Sequence, residues 1–274
     1  TALAGLGMAG MGLVDGFFIE PNWIDIERIS FPVRDLPDAF AGFRVVLISD
    51  THCGPYLSPA FVEEAVALAN KQQPDAVLLL GDYVHRDRSH IKPGIEPFAK
   101  LHAREGSFAV LGNHDYWEGV GETSRALADA GIVELTNRCT VITRGADALA
   151  IGGVDDLRMG EPDIAAALGQ VPPDVPRLLM SHTPEYAEEM PGGVRVDLML
   201  SGHTHGGQVY VPLYGAPILP IRYGQKYRAG LVSGPLCPVY VTRGLGTITP
   251  PMRFLCRPEL TVLTLTQSPS PAQV

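Results

Sequence analysis

Five short apolar runs in this chain each end abruptly in residues that bind metal ions or protons, and this repeated pattern restricts the fold more than any other feature. RVVLIS (44–49) runs into Asp50-Thr51-His52, and AVLLL (76–80) runs into Gly81-Asp82. FAVL (108–111) runs into Gly112-Asn113-His114-Asp115. RLLMS (177–181) runs into His182, and DLMLS (197–201) runs into Gly202-His203-Thr204-His205-Gly206-Gly207. Unbroken aliphatic runs of this length read as strands buried on both faces. In α/β sheets, ligands bind outside the carboxyl ends of such strands. Any one fragment is weak evidence, since a histidine at a strand end is common in cores. GNHD and GHTHGG say more, because glycine and histidine packed into a tight turn let the backbone approach something closely. Together, the five endings point to one shared site.

The stretches between the runs supply helices. Ser58-Pro59 suits a helix start, and Phe61, Val62, Ala65, Val66, Leu68 and Ala69 form an apolar face at helical spacing. Further helical stretches are expected near Pro97 to Arg104, over Ser124 to Ala130 with Gly131 as a stop, after Pro162 to about Gly169, and after Thr183-Pro184. IVEL, TVIT and ALAIGGV (within 132–154) read as three short strands. QVYV (208–211), PVYVT (238–242) and ELTVLTL (259–265) read as later strands. The first half is therefore β-α-β-α-β and the second half mostly β, an α/β class with mixed sheets and helices outside. The chain has 274 residues, 46% of them hydrophobic, which suffices for one large buried core, and no composition shift marks a second domain.

Charge narrows the partners. Charged residues make up 19% of the chain and the formal net charge is -9, without a basic stripe. Such a surface argues against a nucleic-acid backbone as partner. A small-molecule or lipid-linked phosphate ester remains compatible, because bound metal ions supply positive charge locally.

Asp50-x-His52, Gly81-Asp82, Gly112-Asn113-His114-Asp115, His182 and Gly202-His203-x-His205, in that order, resemble the signature blocks of calcineurin-like metallophosphoesterases. The resemblance spans roughly Arg44 to Leu265. GHTHGGQ and the late RPELTVLTL are most similar to the bacterial branch of membrane- or cell-envelope-associated phosphohydrolases. The resemblance implies a four-layer α-β-β-α sandwich of two mixed sheets flanked by helices. It implies that Asp50, His52 and His205 hold one metal, that Asn113, His182 and His203 hold another, and that Asp82 bridges both. A shared carboxylate suits ions ~3.5–4 Å apart, the separation two-metal hydrolases use. Oxygen and imidazole ligands without a thiolate suit two divalent or trivalent transition-metal ions: Mn, Fe, Zn or Co.

The implied reaction is hydrolysis of phosphodiester or pyrophosphate bonds by a metal-bridging hydroxide. His114 would be the acid or transition-state donor, and Asp115 would orient it. A lipid-linked pyrophosphate, of the UDP-diacylglucosamine type, is one concrete substrate. Phosphomonoesterase and nuclease activities are alternatives. So is a scaffold that kept the fold and lost catalysis, although the complete ligand set and His114 speak against it. Weaker site candidates are His85 and Arg86 after Asp82, for holding a phosphate; Tyr83, Tyr116 and Trp117, as pocket lining or core cover; Cys53, where relatives carry a larger apolar residue; and Arg243 beside a glycine turn. Substrate-binding residues are otherwise unassigned.

The ends differ from the middle. Thr1 to Val14 is uncharged and apolar, shorter than the ~20 apolar residues a membrane span needs. Residues 1–20 are expected to be a signal or anchor remnant or a docked helix, 21–266 the phosphoesterase domain, and 267–274 a flexible tail. Through the N-terminal segment, membrane or envelope association is favoured over a cytoplasmic location. Cys53, Cys139, Cys237 and Cys256 match neither a zinc motif nor a dense disulfide framework, and a Cys237–Cys256 pair is left open.

Overall fold

Each of the five runs is a strand in the computed structural model, which describes Gly12 and residues 14–268. The strands are β1 (Asp25–Val33), β2 (Arg44–Ile48), β3 (Ala76–Leu79), β4 (Ser107–Ala109), β5 (Val133–Glu134), β6 (Arg138–Arg144), β7 (Asp147–Gly153), β8 (Arg177–Met180), β9 (Leu198–Ser201), β10 (Gly230–Ser233), β11 (Pro238–Val241) and β12 (Glu259–Gln267). They form two six-stranded sheets. One has the order β1-β12-β2-β3-β4-β5, with β12 antiparallel to β2 and the other pairs parallel. The other has the order β10-β11-β9-β8-β7-β6, with a parallel centre and an antiparallel pair at each edge.

Period-two alternation of the strands explains why the runs had to be apolar throughout. Val45 and Leu47 face a central core with Leu78, Leu80, Val110, Leu178, Met180, Leu198 and Leu200, contributed by both sheets. Val46 and Ile48 point the other way, into a second core with Val77, Leu79 and the helices outside the first sheet. Leu179, Met199, Val239 and Val241 face a third core with Ile164, Leu168 and Tyr186. The result is the expected four layers, two mixed sheets flanked by helices.

Helix α1 (Pro59–Lys71) follows the predicted start and buries Val62, Ala65, Val66 and Ala69. Other elements differ from expectation. The stretch expected near Pro97 to Arg104 is instead a short α2 (Ile91–Ile95) continued by a 3₁₀ turn at Glu96–Lys100. Helix α3 begins at Asn113 rather than near Ser124 and runs to Asp129, with a break at Gly119 (φ 145°). Gly119 and Gly121 depress helix propensity there, but Asp115 in the first turn accepts a hydrogen bond from the Gly112 amide and fixes the start. QVYV is not a strand: only the isolated pairs Val209–Phe254 and Val211–Gly215 form. Gln208 sits at φ 58°, and its side-chain amide is committed to the Ile248 and Pro250 carbonyls, which bends the chain away from any ladder. Strands β1 and β10 were not foreseen.

The N-terminal expectation falls largely on residues 1–11 and 13, outside the described residues, as does the tail from 269 onward. Asp15–Ile19 is one π-helical turn and Glu20–Asn22 one 3₁₀ turn. Among the described residues no helix is long and apolar enough to cross a membrane. Gln267, expected in the tail, is the last residue of β12. All four cysteines are free.

Candidate metal centre

Strands β2, β3 and β4 are mutually parallel in one sheet, and β8 and β9 are parallel in the other. Their carboxyl ends therefore gather along one edge of each sheet. The ladders continue briefly past the strands: the Asp50 amide donates to the Gly81 carbonyl (2.9 Å), His52 to Asp82 (3.0 Å) and Gly202 to His182 (3.0 Å). The His203 amide donates to both Asp50 carboxylate oxygens at 3.1 Å, which ties one sheet to the other. Gly202 permits that approach, since a Cβ there would overlap the Ser49 hydroxyl and the Asp50 carboxylate. Asp50, His52, Asp82, His203 and His205 all have left-handed backbone, with φ between 45° and 68°. That region is costly for residues other than glycine and clusters at functional sites. Here it turns five side chains inward at once.

Donor atoms of Asp50, His52 and His205 lie within 4.8 Å of one another, and so do those of Asp82, His182 and His203. One atom connects the two groups. Asp82 Oδ2 lies 3.5 Å from His52 Nε2 and 3.2 Å from His182 Nε2, while Oδ1 accepts the His114 backbone amide at 2.8 Å. Asn113 is buried, and its Oδ1 has no hydrogen-bond partner among the described residues.

Backbone carbonyls fix the imidazoles. His182 Nδ1–H donates to the Leu80 carbonyl (2.8 Å), and His203 Nε2–H to that of Pro220 (3.3 Å). His205 Nδ1–H faces the Gly246 carbonyl at 3.3 Å. Such partners orient metal-binding histidines. The remaining nitrogens of His182 and His203 are thereby both acceptors, yet they face each other at 3.1 Å. Only a cation between them, a proton or a metal ion, makes that contact favourable.

Electrostatics agrees. Burial holds His52 and His203 well below the ordinary imidazole range and His205 down at about 3, which keeps their lone pairs free. Burial opposes charge on His182 too, but the Asp82 carboxylate beside it lifts it to about 10. Burial also pushes Asp50 up to about 6. Two buried carboxylates face the free lone pairs of His52, His203 and His205, and this donor set fits ions with a preference for oxygen and nitrogen.

The remaining sequence candidates divide. His114 stands at the rim with its ring 4.6 Å from that of His52 and 4.6 Å from that of Trp117, and its Nδ1 faces His85 Nδ1 at 3.4 Å. Asp115 does not orient His114, which corrects the expectation. Its carboxylate accepts the backbone amides of Asp82 (2.8 Å), Tyr83 (2.9 Å) and Gly112 (2.8 Å), and so pins two ligand-bearing loops together. Burial raises its pKa, to about 8, against those three amides, which favour the charged form. Tyr83 is core: it is wholly buried, with its hydroxyl bonded to the Leu79 and Val110 carbonyls. Tyr116 bonds Asp155, and Arg86 bonds Thr249 and lies over Tyr56. Cys53 is buried against the outer core. Arg243 pairs with Glu259 (3.0 Å) and Asp25 (3.1 Å), and its side chain packs against Gly206 beside His205. Sequence reasoning missed Ser49, whose hydroxyl bonds Asp50 at 2.6 Å, and the three carbonyls above, since backbone groups leave no trace in residue identity.

Known proteins resemble this chain along most of its length. The chain is 32% identical over 266 residues to "Uncharacterized metallophosphoesterase YkuE" of Bacillus subtilis, covering 96% of this chain and 92% of that protein. It is 35% identical over 260 residues to "Phosphodiesterase YaeI" of Escherichia coli, covering 90% of each. A zebrafish "Transmembrane protein with metallophosphoesterase domain" is 31% identical over 260 residues, of which this chain covers 58% of the length. The sequence profile of the family described as calcineurin-like phosphoesterase matches residues 43–207, the span that carries all five strand endings. This chain belongs to the calcineurin-like phosphoesterase family.

Proposed function

We propose that the protein is a two-metal phosphohydrolase acting on phosphodiester or pyrophosphate bonds. The supporting observation is the single oxygen, Asp82 Oδ2, within 3.5 Å of His52 Nε2 and 3.2 Å of His182 Nε2, because a dinuclear site needs one ligand common to both halves. Asp50, His52 and His205 would hold one ion, Asn113, His182 and His203 the other, and Asp82 both. The ions, when bound, would activate water as nucleophile and offset charge on the phosphoryl oxygens.

The chain's own residues do the rest. His114 is at the rim, partly exposed, where a leaving oxygen would emerge, and it donates the proton that oxygen needs. Burial holds His114 below its ordinary pKa, so the negative charge of a bound ester is what favours its protonated form. Trp117 and His85 limit its ring to a narrow range of positions. The preference for diesters is drawn from the likeness to a named phosphodiesterase. Membrane or envelope association belongs to the same proposal, from the uncharged Thr1–Val14 stretch and the zebrafish relative named as transmembrane.

The test strips the protein of metal, restores Mn, Zn, Fe, Co or Mg in turn, and follows turnover of a bis-aryl phosphodiester and an aryl phosphomonoester. Metal-restored hydrolysis with the diester preferred is expected. Two ions bound per chain without turnover of either ester would overturn the enzyme reading in favour of a scaffold.

A further inference from the structure

The connection from β11 to β12, residues 242–258, carries none of the proposed ligands, yet it lies against two of them. The Leu245 amide donates to the Ser49 carbonyl (2.9 Å) and the Gly246 amide to that of Asp50 (2.6 Å). A Cβ at Gly246 would overlap the Thr51 carbonyl oxygen, and one at Gly244, where φ is 62°, would overlap the Asp50 Cβ. Only glycine lets backbone come this close. The Gly246 carbonyl is also the group that His205 Nδ1–H faces at 3.3 Å. One short backbone stretch therefore touches both Asp50 and His205. Among the described residues, none of the connection's hydrogen bonds reaches Asn113, His182 or His203.

Arg253 holds this stretch in place. It is wholly buried, and its guanidinium reaches the carbonyls of Arg243 (2.9 Å), Gly244 (3.0 Å), Cys256 (3.0 Å) and Arg257 (3.4 Å). It bonds the Gly246 carbonyl twice, from Nη2 at 2.7 Å and from Nε at 3.2 Å. Among the described residues no carboxylate is hydrogen-bonded to it. A cation buried without a carboxylate partner costs several kcal/mol of desolvation, which carbonyl dipoles must offset. The planar fork of five N–H donors fixes those carbonyls relative to one another, whereas an apolar side chain of this size would leave them unpaired. The arginine is itself anchored. Its amide donates to the Gly16 carbonyl (2.8 Å), and Glu20 accepts the amides of Leu255 (2.8 Å) and Cys256. The Cys256 thiol donates to the His205 carbonyl at 3.3 Å, so the segment grips the same ligand a second time.

Resting on the two-metal reading above, we propose that Arg253 is a positioning residue for one half of the metal centre. By holding the Gly246 carbonyl it sets the ring of His205, and by holding residues 243–246 against the end of β2 it sets Asp50. Affinity for an ion held by Asp50, His52 and His205 depends on Arg253. Affinity for an ion held by Asn113, His182 and His203 does not.

The experiment titrates the full chain, stripped of metal, with Mn(II) by equilibrium dialysis, and electron paramagnetic resonance separates isolated from coupled ions. The wild type is expected to bind two coupled ions. Arg253→Lys keeps the charge but replaces the planar fork by a single donor atom. It should weaken one binding step by about 10–100-fold and leave the other unchanged, so that an isolated ion is seen between the two steps. Arg253→Ala should do the same, and added methylguanidinium, but not urea at the same concentration, should restore the coupled pair. If both Arg253 variants lose the fold by circular dichroism, Glu20→Gln, which loosens the segment carrying Arg253, decides by the same two steps. Two unchanged steps in a folded variant, equal weakening of both steps, or no rescue by methylguanidinium would overturn the assignment and leave the two-metal reading standing. A wild type that binds fewer than two ions with Mn, Co and Zn alike would overturn the two-metal reading and this assignment with it.

Discussion

Replacing Asp82 by Asn keeps the size of the side chain and removes the charge that both ligand groups face. Asp82→Asn is expected to lower bound metal and to cut turnover by about 10³-fold, because Lewis-acid activation supplies several kcal/mol of barrier lowering. Metal content per chain and kcat measured on the same preparation check it; a variant with two ions and full rate would remove Asp82 from its bridging role. His114 differs in kind. Its ring is near the ligands, yet its structural tie to the site is the backbone amide on Asp82 Oδ1 at 2.8 Å, which any residue supplies. His114→Ala should therefore keep its metal and lose about 10²–10⁴-fold in kcat, most on esters with poor leaving groups. Equal loss on activated and unactivated esters would show that His114 does not protonate the leaving oxygen.

Among the elements, the start of α3 decides most. Asn113 and His114 sit on its first turn, and the Asp115 carboxylate clamps that turn to the loop after β3 through the buried amides of Asp82 and Tyr83 while capping its own turn through that of Gly112. Asp115→Asn would point an NH₂ group at one or more backbone N–H groups. Leaving them unpaired should cost about 3 kcal/mol of stability. Chemical denaturation of metal-free wild type and variant measures it, and a difference below about 0.5 kcal/mol would mean that the clamp contributes little. The helix start also shows how far residue propensity reaches. The glycines at 119 and 121 argue against a helix, and a break does occur at Gly119, yet hydrogen bonding at the N-terminus and packing of Leu127 carry the helix through.

At the scale of the molecule, the two sheets meet at the centre, so ions held between the loops after β2–β4 and those after β8–β9 would join them. Ligands that bind the folded state alone stabilise it by mass action, about 2.7 kcal/mol at a hundredfold excess over Kd. Chelation should accordingly lower Tm by roughly 5–10 °C, with recovery on adding back the activating metal. An unchanged Tm after verified metal removal would mean that the sheets need no ions to stay together.

The sequence by itself determined the strands β2, β3, β4, β8 and β9, because a strand buried on both faces must be apolar at every position. It also marked the candidate donors, because each follows its strand closely in the chain. The turn glycines were legible for the same local reason, as at Gly202, where any side chain would strike Asp50. Tertiary structure decided the rest. That the endings of two separate sheets converge depends on sheet packing, in which β12 enters the first sheet beside β1 and β2 from the far end of the chain. The role of Asp115 was not legible, because residue type does not say whether a carboxylate will be spent on a neighbouring imidazole or on backbone amides. Asp and His enter the left-handed region more readily than most side chains, but nothing local says that Asp50, His52, Asp82, His203 and His205 would all adopt it. It still costs energy relative to right-handed or extended backbone, and the packed strands and carbonyl partners around it hold it in place.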